Sequence, residues 1–130
     1  MCGFFGIFHK KKFKKDLDKF NKSANLISHR GPDDSRYTEL DRLQVKFFRL
    51  SILDLSKNGM QPMISKNNRY LMVFNGEIYN ANILKKKLLN IDFKSTSDSE
   101  VLFNLLILRG EKALENIEGM FSFVFFDKET

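Results

Sequence analysis

MCGFFGIF, residues 1–8, opens the chain, and its second residue is the only cysteine among 130. Two readings of Cys2 need no chemistry: a small apolar residue at the start of a buried strand, or a chance occupant. The third is chemical. If Met1 is removed, as a small second residue permits, Cys2 carries a thiol and a free α-amine together. An α-amino group has a pKa of about 7.7–8.0, so a good fraction is unprotonated near neutral pH. That is a nucleophile with its own base, the device of enzymes whose N-terminal amine activates a hydroxyl or thiol.

The bulk composition bounds the answer. The chain has the length of one domain with one core, is 42% hydrophobic and 29% charged, and has only two prolines. A lone cysteine forms no internal disulfide, which suits a reducing compartment, and a cytoplasmic location is expected. With one Cys and the distant His9 and His29, no metal site is expected, because zinc takes three or four protein ligands. No apolar run reaches the roughly eighteen residues of a membrane-spanning helix. The net charge is +6, and five lysines crowd into KKKFKK, residues 10–15. Without interleaved aromatics for base stacking, this run reads as a solvated surface, and no nucleic-acid partner is expected.

Along the chain, CGFFGIF reads as a buried strand. DLDKFNKSANLI places Leu17, Phe20, Ala24 and Ile27 at helical spacing. SHRGPDD is a loop around Gly31-Pro32. SRYTEL and LQVKFFRL read as paired strands, and LDLSKNGMQP as irregular chain. RYLMVF is a strand leading straight into NGEIYN. NANILKKKLL is a short helix with Ile83, Leu84 and Leu88 inward. DSEVLFNLLILRG is a helix apolar almost all round, ending at Gly110. GMFSFVFFD is a strand so apolar that it belongs between two partners, since such an edge invites aggregation. Either an earlier strand covers it or the chain is truncated, and truncation is the favoured expectation.

Three short stretches admit both a structural and a functional reading. Asn75-Gly76 is the preferred centre of a two-residue hairpin turn; alternatively, the Asn75 amide and Gly76 N–H together stabilise an oxyanion. Ser97-Asp98-Ser99-Glu100 is a capping box, or presents the Asp98 carboxylate to a ligand ammonium. Arg49, amid apolar neighbours, is an edge residue with its head in water, or a guanidinium aimed at a carboxylate. A Cys2–His29 pair is disfavoured, because Arg30 stands beside the histidine and no orienting group is visible.

Taken in order, MCG-F-FGIF, SHRGPDD, RLSILD, NGMQPM, NGEIYN, SDSE and GMFSFVFFD resemble the N-terminal glutaminase domain of glutamine-hydrolysing asparagine synthetases. These are class II glutamine amidotransferases of the N-terminal-nucleophile hydrolase fold. The resemblance runs the length of the chain. It implies an α+β, four-layer αββα sandwich of antiparallel sheets spanning residues 1–130 as one glutaminase domain. The family's domain continues past the last strand, so the sandwich is expected to be incomplete at its C-terminus.

By the same resemblance, Cys2 attacks the side-chain amide of L-glutamine, with its α-amine relaying the proton, to give a γ-glutamyl thioester and ammonia. Asn75 and Gly76 match the oxyanion pair. Arg49 matches the grip on the α-carboxylate, with Leu50, Ser51, Ile52 and Leu53 lining the same pocket. Asp98 matches the acid that holds the α-ammonium, and Glu77 is a further glutamine contact. HRGPD is a structural loop nearby. Many relatives carry histidine where this chain has Phe47. No cofactor is expected here; ATP and magnesium belong to a synthetase part, itself the expected partner that receives ammonia and amidates aspartate. Other readings stay open: a different acceptor such as a sugar or lipid precursor, an inactive binding remnant, or a peripheral membrane module using lipidated Cys2 and KKKFKK.

Overall fold

A computed structural model of the chain describes residues 2–11, 16–51 and 56–130; most of KKKFKK, together with Ile52 and Leu53, lies outside the described residues. Two three-stranded antiparallel sheets form the centre. The first contains β1 (Gly3–Phe8), β2 (Asp34–Leu40) and β3 (Leu43–Arg49), in the order β1-β3-β2. The second contains β4 (Met63–Ile64), β5 (Tyr70–Ile78) and β6 (Gly119–Asp127), in the order β4-β5-β6. Helix α1 (Leu17–Ala24), prolonged by a 3₁₀ turn over Asn25–Arg30, precedes β2, while α2 (Ala81–Lys87) and α3 (Asp98–Arg109) connect β5 to β6.

Pleating explains why these elements stack into four layers. Successive side chains of a strand point to opposite faces, and β3 and β5 are apolar on both. Leu43, Val45 and Phe47 of β3 meet Leu71 and Val73 of β5, so the two sheets close on each other. Phe48, on the opposite face of β3, packs beneath Phe20 and Ala24 of α1. On the far side of β5, Met72, Phe74 and Ile78 receive Leu84 of α2 and Val101, Leu102, Leu105 and Leu106 of α3. The order is helix, sheet, sheet, helices: an αββα sandwich.

Local signals shape the ends and turns of these elements. Asp16 caps α1, its carboxylate accepting from Lys19 N–H at 2.9 Å. Asp41 turns the β2–β3 hairpin with φ 50°, a left-handed conformation that Asp tolerates. Gly110 ends α3 with φ 58°.

Three expectations need correction. Asn75-Gly76 makes no hairpin turn: β5 runs unbroken through both, paired residue for residue with β6 from Tyr70↔Asp127 to Ile78↔Gly119. The cross-strand partners, Ser122 and Phe121, lie more than forty residues along the chain, where no local propensity can see them. Strand β1 is an edge, not a buried strand, because β3 takes its one described partner edge. Of the two alternatives for β6, cover by an earlier strand on its second side is not seen: it lies at an edge among the described strands. Its Phe121, Phe123 and Phe125 are covered by the helical cluster, whereas Met120, on the other face, is 63% exposed. Finally, Ile83 does not turn inward and is 60% exposed, because the short helix α2 can aim only one stripe, through Leu84, at α3.

Leu102 is fully buried and Leu108 exposed on the same helix. Leu102→Ala should therefore lower stability by about 2–5 kcal/mol, and Leu108→Ala by about 0.5 or less. Equal shifts of the urea midpoint in the two variants would contradict this packing.

Candidate active site

The second sheet is asymmetric, and the asymmetry makes a cleft. Strand β4 contributes Met63 and Ile64, opposite Met72 and Leu71, while β5 continues well beyond. In an antiparallel ladder the N–H groups of alternate residues face the same neighbour. Those of Phe74, Gly76 and Ile78 thus face the side from which β4 has withdrawn. Phe74 N–H donates to Gln61 Oε1 at 2.6 Å, and Ile78 N–H to Asp98 Oδ2 at 2.8 Å. Gly76 lies between these two supports.

The cleft that opens there, of about 180 Å³, is lined by Cys2, Arg49, Leu50, Ser51, Asn75, Gly76, Glu77 and Asp98. Ile52 and Leu53 are outside the described residues. His29 does not line the cleft and is exposed, so no Cys2–His29 pair is assembled. Residues to which the sequence reading gave no part in the site also line it: Gln61, Phe74, Ser97, Ser99 and Met120, together with Phe47. Phe47 is 1% exposed in the inter-sheet core.

Cys2 precedes β1, and continuing the register Gly3↔Phe48 sets it opposite Arg49. Its sulfur accepts from Leu50 N–H at 3.3 Å, and its S–H donates to Leu50 O at 3.4 Å. Arg30 Nε–H donates to the Cys2 carbonyl at 3.3 Å. The SHRGPDD loop thus braces the thiol. It also braces the strand end beside it: Asp33 N–H donates to Arg49 O at 3.0 Å, and Ser51 N–H to Asp33 Oδ2 at 2.7 Å. Gly31 is required for this fit, because a Cβ there would lie 2.2 Å from Phe48 O.

The charged groups are embedded, not surface-borne. Arg49 is 6% exposed, which overturns the reading of an edge arginine with its head in water; its Nη2 donates to Ser56 O at 2.7 Å. Asp98 opens α3 and accepts from Ile78 N–H and, through Oδ1, from Ser99 N–H at 2.8 Å. Burial pushes its carboxyl above the usual carboxylate range, these backbone donors pull it down, and Glu77 nearby raises it further. The capping box is only half made. Ser97 accepts from Glu100 N–H at 3.4 Å, but Glu100 turns to Lys94 N–H and Ser95 instead of back to its cap.

Gly76 holds φ 149°, and a Cβ there would lie 2.3 Å from Met120 O. Only glycine lets β6 approach this closely. The buried Asn75 Oδ1 accepts no hydrogen bond among the described residues. The cleft thus presents a thiol, a guanidinium, two carboxylates and an amide-bearing strand edge. This set suits a small zwitterion with a carbonyl to be attacked. Among the described residues no cluster of His, Cys, Asp and Glu is placed to hold a metal ion, and no helix is long and apolar enough to cross a membrane.

Comparisons with known proteins agree with this geometry. A family model described as a glutamine amidotransferase domain matches residues 1–130. The chain is 40% identical over 131 residues to asparagine synthetase [glutamine-hydrolyzing] 2 of Bacillus subtilis, covering 98% of this chain and 17% of that protein. Against asparagine synthetase B [glutamine-hydrolyzing] of Escherichia coli it is 34% identical, covering 99% and 24%. The chain therefore spans about a fifth of the length of these relatives. A solved glutamine phosphoribosylpyrophosphate amidotransferase from B. subtilis superposes with a TM-score of 0.55 and 24% identity, over 66% of this chain and 21% of that one, which supports the fold.

Two predictions follow from the site's electrostatics and packing. The costly form of Asp98 is the ionised one, so its contribution to stability is greatest when protonated and declines as pH rises from about 4 through its elevated folded-state value. Asp98→Asn lacks that decline, and its urea midpoint should gain on wild type as pH rises above about 4; parallel profiles would refute the assignment. Gly76→Ala should destabilise the chain by more than about 1 kcal/mol through strain at positive φ and the clash with β6. A variant as stable as wild type would show that this approach is not tight.

Proposed function

The chain belongs to the glutamine amidotransferase family, and on that footing we propose that it is a glutaminase, hydrolysing L-glutamine to glutamate and ammonia. The observation that carries the reading is the single cleft holding Cys2 together with Arg49, Asp98 and the free edge of β5 at Asn75–Gly76. Two of these come from the first sheet's half of the chain and the others from the second.

In this mechanism Met1 is removed, and the α-amine of Cys2 takes the proton from its own thiol. The sulfur attacks the side-chain amide carbon and pushes its π electrons onto oxygen. Asn75 Nδ2 and Gly76 N–H receive that oxyanion, donors fixed in place before the charge develops. Collapse of the adduct breaks the C–N bond, the α-ammonium returns its proton to the leaving nitrogen, and ammonia departs from a γ-glutamyl thioester. Water then attacks the thioester, the C–S bond breaks, and glutamate and the thiol are restored.

Arg49 holds the substrate α-carboxylate and Asp98 its α-ammonium, with Glu77 at the rim. The ammonium supplies Asp98 with the counter-charge that its burial lacks. Leu50 and Ser51, continuing towards Ile52 and Leu53, line the side of the pocket. No cofactor is required for this hydrolysis. By the names of its relatives, the ammonia serves asparagine synthesis on a synthetase part, where ATP and magnesium would act. A reducing compartment, the cytoplasm, keeps such a thiol competent.

Cys2→Ala should lower glutamate release from glutamine by at least about a thousandfold while leaving glutamine binding, measured by calorimetry, within about threefold of wild type. An electrophilic glutamine analogue should add one mass increment to a chain lacking Met1, blocked by excess glutamine. Hydrolysis that survives Cys2→Ala would sink the mechanism.

A further inference from the structure

We infer that Gln61 is a positioning residue for the oxyanion strand, an inference that rests on the glutaminase reading above. Continuing the β4–β5 register, Met63↔Met72, sets Gln61 opposite Phe74. At this point β4 should supply a backbone carbonyl to Phe74 N–H. The Gln61 side chain supplies the oxygen instead, at 2.6 Å, the shorter of the two bonds that flank Gly76. The substitution of side chain for strand is what opens the sheet. A true β4 continued past Gln61 would run across Gly76 and occupy its N–H; a carboxamide ends the ladder one position short and leaves the next donor for a ligand.

Three observations locate Gln61 within the site. It is 5% exposed, so its amide cannot trade Phe74 for bulk water without cost. It lines the same cleft as Cys2, Asn75 and Gly76. Its oxygen is committed to Phe74 N–H, which fixes the carboxamide's orientation and leaves the Nε2 hydrogens without a partner among the described residues. Phe74 immediately precedes Asn75, and its ring is locked in the helical core. Gln61 on one side and Asp98 on the other therefore clamp a five-residue stretch of β5, Phe74–Ile78, whose middle carries the oxyanion donors. The clamp acts through those donors, so its value appears only when charge develops on the substrate oxygen.

Full-length chains with Gln61→Met and Gln61→Glu test this. Methionine removes the acceptor at nearly constant volume; glutamate keeps an oxygen opposite Phe74 N–H. The expected result for Gln61→Met is a kcat for glutamine hydrolysis reduced about 10–100-fold with KM changed less than about threefold, as for a group that serves the transition state alone. Alkylation of Cys2 by iodoacetamide, which makes no use of an oxyanion pair, should stay within about twofold of wild type. Amide exchange should accelerate at Phe74, whose N–H loses its acceptor, and not at Leu71 or Val73. Gln61→Glu should recover most of kcat. The inference is overturned by wild-type kcat in Gln61→Met, by equal losses of kcat in both variants, or by kcat, alkylation and melting temperature falling together, which would make Gln61 a fold residue only. A wild-type chain that releases no glutamate overturns the glutaminase reading and this inference with it.

Discussion

Strand β5 is buried on both faces, and a buried strand leaves no backbone donor without a partner at small cost. That constraint organises the molecule. On one side β6 satisfies β5 along its whole length. On the other, β4 serves only its first residues; beyond it, side chains from elsewhere meet the donors of Phe74 and Ile78, Gln61 from the approach to β4 and Asp98 from the start of α3, and the Gly76 donor between them faces the cleft. The helix layer is thus tied to the sheet by a carboxylate as well as by apolar packing. The place where ladder gives way to side chains is where the cleft lies.

The same economy applies to charge. Asp98 and Arg49 are both largely withdrawn from water, and each is held by backbone groups: Asp98 by two N–H donors, Arg49 by the Ser56 carbonyl. Buried charges are costly unless their hydrogen-bonding capacity is met. Here the backbone holds each head group in place, and a zwitterionic ligand is the natural completion. Pre-organised polar groups of this kind sacrifice stability in the empty protein for affinity in the occupied one.

Much of this was legible in the sequence, and what was not has physical reasons. Helix starts announce themselves locally, as Ser97 does, and Leu43, Val45 and Phe47 of β3 carry the two-residue period of a strand. Asn75-Gly76 misled because a two-residue motif carries turn propensity, whereas its outcome was set by Met120 and Phe121 some forty residues on. The edge position of β1 was misjudged because an apolar run reports that both faces can be buried, not which strands lie beside it. Arg49 and Asp98 each had a plausible structural use, and only their convergence on one cleft separates the readings. Gln61 passed unnoticed for another reason. A glutamine before a proline looks like loop, and its bond to Phe74 is a side chain standing in for a strand, which leaves no pattern in the chain.

Each sheet is drawn from its own contiguous length of chain: β1 to β3 end at Arg49, and β4 to β6 begin at Met63. The cleft borrows from both, Cys2 and Arg49 from the first length, Asn75 and Asp98 from the second. Neither length holds a site by itself; the site is a property of their docking across the Phe47–Leu71–Val73 core. The protein is in this sense two complementary fragments that happen to be joined, and a ligand bound in the cleft would work as a mass-action fastener on the seam between them. A nick in the connection between Arg49 and Met63 would turn a folding reaction into an assembly reaction. The substrate would then govern how tightly the two pieces associate.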